Sequence, residues 1–240
     1  MIIDCKKVAD SIHLEPKPRT LGIIRYGEHK DAEYFCKSIM KQAEGTKLYI
    51  IEIDLNTYDY KGMMIENMIN ACDKIVCCNP FPKEIKELLQ DMIPPQKDID
   101  NFTGRSRYRN CTAEAVRMVL EDKYESIEGL NATVLGANVG WEIARELKDM
   151  GSTVTVYNSK TKNEYRTMYA DIIVSAVGKE DLIKYLPCAE TIIDVGNDIG
   201  DLIYEHAMND LYDLTPQRNG IGLITTKILL KKVLEDEHEI

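Results

Sequence analysis

The sequence predicts an α/β protein in two domains, the second built on a doubly wound parallel sheet. Three observations carry that expectation. Short apolar runs rich in β-branched residues alternate with amphipathic helical stretches along the 240 residues, as parallel strands joined by crossover helices require. Between Gly129 and Tyr157 a strand, a glycine-bearing turn, a helix and a strand follow in order, which is the βαβ unit of nucleotide-binding folds. Pro94-Pro95 breaks the pattern, and a helix beginning near Asn110 then carries the chain into the second half.

In chain order, Met1 to Ser11 reads as a short strand leading into a helix, and Glu15-Pro-Lys-Pro-Arg19 as a turn or linker. Leu21 to Tyr26 is a strand. Ala32 to Ala43 is a helix whose apolar stripe is Ala32, Phe35, Cys36, Ile39 and Ala43. Lys47 to Leu55 is a second strand, Lys61 to Asp73 a helix, and Lys74 to Cys78 a third strand ending at Asn79-Pro-Phe-Pro82. Lys83 to Met92 closes this first α/β layer as a helix. Thr112 fits the N-cap of the next helix, Ala113 to Asp122.

The second half opens with Ala132 to Leu135, a short apolar run that reads as a buried strand. Trp141, Ala144, Leu147 and Met150 then recur at helical spacing, with Glu142, Arg145, Glu146 and Lys148 expected to face water. Gly151 occupies the C-terminal glycine position of that helix, and Val154 to Tyr157 is the next strand. Ala170 to Val177 and Thr191 to Val195 read as later parallel strands, and a helix running to about Glu235 opens after Thr215.

The turn between Leu135 and Trp141 carries chemistry. A glycine there lets N–H groups at the helix start approach a pyrophosphate, assisted by the helix dipole. Gly136, Ala137, Asn138, Val139 and Gly140 are therefore candidate dinucleotide contacts in a Rossmann-type unit. Only part of the G-x-G-x-x-G fingerprint is present, with Asn138 and Trp141 where two glycines would stand. A bare strand-to-helix turn would read the same way.

A net charge of −10 argues against nucleic acid or an anionic membrane as the main partner. No apolar run is long enough to span a bilayer, and the N-terminal residues lack the pattern of a signal peptide. Seven cysteines without framework spacing suggest reduced thiols in the cytoplasm. Cys77-Cys78 lies in a strand pattern, where neighbours face opposite ways, so both read as packing residues. His13, His29, His206 and His238 have no metal-ligand spacing, and no metal site is expected.

Lys97-Asp-Ile-Asp-Asn-Phe102, Cys111-Thr112, Asn158-Ser-Lys-Thr-Lys-Asn163, Ala170 to Gly178, Ile193-Asp-Val-Gly-Asn197 and Leu214-Thr-Pro…Asn-Gly-Ile-Gly222 follow one another in a fixed order. In that order they resemble the methylenetetrahydrofolate dehydrogenase/cyclohydrolases, and Tyr34 with Asn79-Pro-Phe-Pro82 extends the likeness upstream. The resemblance implies two α/β domains flanking a cleft, with folate over the N-terminal domain, nicotinamide on the Rossmann domain, and a homodimer. On that plan residues 1–112 form the folate domain, completed by a C-terminal helix over 216–240, and 113–215 the dinucleotide domain. Tyr34, Cys78, Pro82, Asp100, Pro216, Gly220 and Gly222 would then face a tetrahydrofolate derivative. Asn158, Ser159, Lys160, Val177, Gly178, Gly196 and Asn197 would join the glycine turn around the dinucleotide.

The departures from the family are specific. Its active-site helix carries Tyr-x-x-x-Lys, in which tyrosine stacks on the pterin and lysine handles the water of the cyclohydrolase step. Tyr34 matches, but the lysine position is Ser38. The family glutamine falls on Cys78, the glycine loop is shorter, and the family Pro-Gly-Gly-Val-Gly-Pro has become Arg218-Asn-Gly-Ile-Gly-Leu223. Lys37 or Lys41, near Tyr34 on the helix, would substitute for the lysine unless both are ordinary surface lysines. The pterin-gripping aspartate is matched by Asp100, which as a bare residue also reads as a turn or cap.

Chemistry separates the two family reactions. Oxidising 5,10-methylenetetrahydrofolate moves a hydride to nicotinamide, and the substrate's own nitrogens stabilise the cation, so proximity and orientation dominate. Hydrolysing the methenyl product needs an activated water and a proton relay. The expectation is therefore a dehydrogenase with weak or absent cyclohydrolase activity. Tyr157-Asn-Ser-Lys-Thr161 carries no acid before Glu164, and Ser159 with Lys160 suits a 2′-phosphate, favouring NADP over NAD. The alternatives are a non-catalytic binding relative and a dehydrogenase of another small substrate.

Overall fold

The computed structural model describes residues 1–161, 169–179, 182, 188–208 and 211–235. Lys162, Asn163 and Glu164 of the predicted loop, and 236–240 of the predicted C-terminal segment, lie outside the described residues. A short helix α1 (Cys5–Asp10), capped by Asp4 through Lys7 N–H, precedes strand β1 (Arg19–Arg25). Helix α2 (Lys30–Gln42), strand β2 (Leu48–Asp54), helix α3 (Lys61–Ala71), strand β3 (Lys74–Cys77) and helix α4 (Lys83–Met92) follow. Helix α5 (Cys111–Lys123) leads to strand β4 (Asn131–Leu135), helix α6 (Asn138–Asp149) and strand β5 (Thr153–Tyr157). Strands β6 (Ile172–Ser175) and β7 (Thr191–Asp194), helix α7 (Asp201–Met208), strand β8 (Asp213–Leu214) and helix α8 (Ile221–Leu234) complete the described chain.

The chain separates into two compact units. The first runs from Ile12 to Cys111 and resumes from Thr226. Its three parallel strands lie in the order β2-β1-β3. β1 is central and buries Leu21 to Ile24, as a strand with neighbours on both sides must. A core of Ile24, Ile53, Leu55, Ile65, Ile75 and Leu89 fills the space between this sheet and its helices.

The second unit comprises Met1–Ser11 and Thr112–Thr225. Its five strands are all parallel, in the order β5-β4-β6-β7-β8. β6 and β7 are buried throughout, the signature of strands covered on both faces. Met1–Ser11 therefore belongs here and not with the first hundred residues. The reason is pairing at the sheet edge: Ile2 bridges Leu214, Ile3 N–H donates to Leu214 O at 2.8 Å, and Leu214 N–H donates to Met1 O at 2.9 Å.

Several local expectations change. α6 starts at Asn138, within the stretch expected as a turn. Its buried stripe is Gly140, Ile143, Ala144 and Leu147, and Trp141 is 52% exposed. A helix turns about 100° per residue, so Trp141 lies roughly 120° from the centre of that stripe. Glu146, expected in water, is buried, with Arg117 Nη1 3.4 Å from its Oε2. The third strand of this sheet stops at Ser175, two residues short of Val177. α5 begins at Cys111, so Thr112 sits inside its first turn and is not the residue before it.

Candidate functional site

Each unit carries half of the predicted constellation. In the first, the strand order reverses between β1 and β3, and ligands of open α/β sheets gather beyond the carboxyl ends of such strands. Cys78 directly follows β3, its N–H donating to Ile24 O at 2.8 Å. Its Sγ lies 3.8 Å from Cys36 Sγ on α2. That contact, together with burial, pushes the Cys78 thiol well above its ordinary range, so it stands as a neutral packing group and not a nucleophile. Cys77, its neighbour, lies in the core with Ile24 and Leu89. Pro82 is exposed at the start of α4.

α2 buries Ala32, Cys36 and Ile39 and turns its other face outward. Tyr34 is 77% exposed. Lys37 is equally exposed and pairs with Glu33 one turn earlier at 3.7 Å, and Lys41 is exposed. Ser38 is engaged differently. Its Oγ lies 3.1 Å from Thr226 Oγ1 and accepts from Gln42 Nε2 at 3.2 Å. Gln42 Oε1 is buried without a hydrogen-bond partner among the described residues.

Asp100 stands where the chain enters α5. Its Oδ1 accepts the Cys111 N–H at 2.7 Å and Asn110 Nδ2 at 3.2 Å, so it supplies the helix-start acceptor expected of Thr112. The Cys111 side chain adds a further hydrogen bond to the same carboxyl. Burial raises the carboxyl to about 6, against the opposing pull of the Cys111 N–H and the Lys232 charge. Lys232 is itself fixed on α8, donating to Arg109 O at 2.7 Å. Asp98 shapes the preceding turn, accepting from Phe102 N–H at 3.0 Å and Thr103 N–H at 2.8 Å. Asp98 does not stand out in the sequence pattern, although an aspartate whose side chain can accept backbone N–H groups a few residues on is a turn signal.

In the second unit the order reverses between β4 and β6. Gly136 has φ +116°, and a Cβ there would lie 2.3 Å from Ala176 O at the end of β6. Only glycine permits both the angle and the approach. α6 follows with Ala137 at its N-cap and no side-chain cap, leaving its first N–H groups available to an anion. Ala137 and Asn138 are exposed and Val139 half-buried, whereas Gly140 packs on Val134 Cγ1. After β5, Asn158 Oδ1 accepts from Lys160 N–H at 2.9 Å, and Ser159 and Lys160 are exposed.

Beyond β6, Val177 and Gly178 are exposed, and beyond β7 Gly196 is half-buried and Asn197 exposed. Asp198, absent from the sequence reading, is buried among them. Further on, Pro216 and Gly220 form a tight turn: a Cβ on Gly220 would lie 2.5 Å from Pro216 O. Gly222 is exposed in the first turn of α8. Among the described residues no group of three or more His, Cys, Asp or Glu is arranged to hold a metal, and no helix is long and apolar enough to cross a membrane.

A family model described as the NAD(P)-binding domain of tetrahydrofolate dehydrogenase/cyclohydrolase matches residues 110–239. The chain belongs to the tetrahydrofolate dehydrogenase/cyclohydrolase family. It is 30% identical over 252 residues to the bifunctional protein FolD 1 of Desulfitobacterium hafniense, covering 93% of this chain and 90% of the relative. The bifunctional FolD methylenetetrahydrofolate dehydrogenase/cyclohydrolase of Campylobacter jejuni shares the fold, with a TM-score of 0.77 at 24% identity over 96% of this chain and 94% of that one. The 5,10-methylenetetrahydrofolate dehydrogenase of the silkworm, Bombyx mori, gives 0.73 at 26% identity, over 96% and 92% of the two chains.

Membership of the tetrahydrofolate dehydrogenase/cyclohydrolase family makes the second unit an NAD(P)-binding domain. The local geometry fits such a group: a glycine at positive φ in the turn after β4, an uncapped helix start beside it, and no carboxylate among residues 157–161.

Proposed function

We propose that this protein oxidises 5,10-methylenetetrahydrofolate to the 5,10-methenyl form with NAD(P), NADP preferred, and has weak or absent cyclohydrolase activity. The observation that carries the second half is Ser38. Where the family has a lysine, a short hydroxyl is tied to Thr226 and Gln42, and Lys37 and Lys41 point to solvent with Lys37 held by Glu33. Cys78, at the glutamine position, is a neutral buried thiol. None of these groups is set up to relay a proton from water.

The residues left in place suit substrate binding. Tyr34, largely exposed, is an aromatic ring available to stack on a pterin. Asp100 holds the α5 start through Oδ1, and a carboxylate has lone pairs enough to accept from pterin N–H donors as well. Gly136 and the first N–H groups of α6 would hold the pyrophosphate, and Ser159 with Lys160 the 2′-phosphate. A bound nicotinamide would supply the acceptor for the hydride of the methylene carbon. The protein's own task is then to align the substrate and keep Asp100 ionised.

The test follows methylenetetrahydrofolate and NADP by absorbance. Reduced cofactor should appear, and the methenyl product should accumulate, decaying no faster than in buffer. Rapid decay would mean that another group activates water, and Lys37→Ala with Lys41→Ala would identify it. No reaction by a folded protein that still binds both ligands would favour a non-catalytic relative, a reading motivated by the incomplete glycine fingerprint.

A further inference from the structure

We infer that Asp198 positions the nicotinamide half of the bound dinucleotide by fixing the loop Val177–Lys179 at the carboxyl end of β6. The inference rests on the dinucleotide reading above and adds a residue to it. Asp198 is fully buried just beyond β7. Its Oδ2 accepts from Ser175 Oγ at 2.6 Å and Val177 N–H at 2.8 Å, and its Oδ1 from Lys179 N–H at 2.6 Å. Three neutral donors from one strand end converge on one carboxylate, an arrangement that ties the loop to the chain just beyond β7. Asp198 is held in turn: its N–H donates to Asp194 Oδ1 at 2.9 Å, and Asp194 Oδ2 accepts from Ile199 N–H at 3.2 Å and Tyr204 OH at 3.3 Å. Gly196 makes room for this. A Cβ there would come within 2.6 Å of both Asp198 Oδ2 and Gly178 N.

The sheet order says which half of the ligand meets this loop. The adenosine ribose is read at the end of the second strand of such a unit, here β5, and the pyrophosphate at the helix after the first, here α6. β6 lies on the other side of β4 from β5, so the nicotinamide half extends over β6 and β7. With the N–H groups of Val177 and Lys179 turned to Asp198 and the Lys179 carbonyl accepting from Leu182 N–H at 3.2 Å, the loop has the Val177 and Gly178 carbonyls and the exposed Val177 side chain to offer a ligand. Carbonyl acceptors and an apolar surface suit a carboxamide N–H₂ and a flat ring.

The experiment compares Asp198→Asn with the parent by calorimetry, using the intact dinucleotide and ADP-ribose or its 2′-phosphate, which lack only the nicotinamide. Asparagine sets an N–H₂ against an N–H donor, so the loop must shift. The dissociation constant of the intact dinucleotide should rise about tenfold, as lost polar contacts of this kind allow, while that of the fragment stays within about twofold. Should Asp198→Asn fail to fold, Ser175→Ala removes one of the three bonds and should move the two ligands apart in the same direction by a few-fold. Equal losses for both ligands, or no loss for either, overturn the inference, as does a Ser175→Ala variant with no split. A parent that binds neither ligand overturns the dinucleotide reading itself, and is told apart by the parent titration alone.

Discussion

At the scale of residues, Asp100 and Lys160 make the sharpest claims. Asp100→Asn keeps an acceptor for Cys111 N–H but replaces the other oxygen, the one proposed to accept from substrate, with an N–H₂ donor. Substrate affinity should fall about tenfold or more, the loss of a charge-assisted bond, with dinucleotide affinity unchanged in calorimetry. In the parent, substrate binding should weaken as pH drops through about 6, where Asp100 takes up a proton. The variant's binding should lack that step. The stability sign is opposite to that of a salt-bridged carboxylate. A raised folded value means that this group's favourable contribution is full at acid pH and lost as pH climbs to about 6. Asp100→Asn should therefore be as stable as the parent at pH 7, or more stable by about 1 kcal/mol, in urea titrations. Lys160→Ala should weaken NADP several-fold and leave NAD unchanged, since only NADP carries the extra anion; equal effects on both would remove the 2′-phosphate role.

Elements show why some features could be read from sequence and others could not. β1, β4, β6 and β7 announce themselves because strands covered on both faces are continuous apolar runs. α4 runs from Lys83 to Met92 as its spacing predicts. α7 and β8 were not anticipated, being eight and two residues long with little periodicity to detect. Trp141 was misplaced because the helix begins three residues earlier than its apolar spacing suggests. Asp198 was missed because its meaning depends on two strand ends meeting, 23 residues apart in sequence at Ser175. The family resemblance, by contrast, lay in loops at strand ends, where chemistry is carried. Two substitutions test the elements. Gly136→Ala should destabilise the second unit by about 3 kcal/mol and abolish dinucleotide binding, because its positive φ and the Ala176 carbonyl both exclude a methyl. Ser38→Lys with Cys78→Gln should raise methenyltetrahydrofolate hydrolysis well above any change in the dehydrogenase rate, and the new ammonium would give Gln42 Oε1 a donor it lacks. A double variant that folds and hydrolyses no faster would show that more than these two groups was lost.

On the scale of the whole molecule, neither unit is a single stretch of chain. The backbone passes from one to the other at Cys111–Thr112 and returns at Thr225–Thr226, inside α5 and α8. The second unit also includes α1, whose Cys5, Val8 and Ala9 are buried. Deleting residues 1–11 should therefore cost that unit about 3 kcal/mol or more through lost apolar burial, read as a lower Tm that saturating dinucleotide partly restores. The Ile2–Leu214 bridge has a consequence for the order in which the protein is made. Ile2 is made more than two hundred residues before Leu214, so the nucleotide-binding sheet gains this edge contact only after its other strands have been joined. Until β8 is made, Cys5 and Val8 lack the sheet that buries them, and the nascent chain is then more open to chaperones and to aggregation.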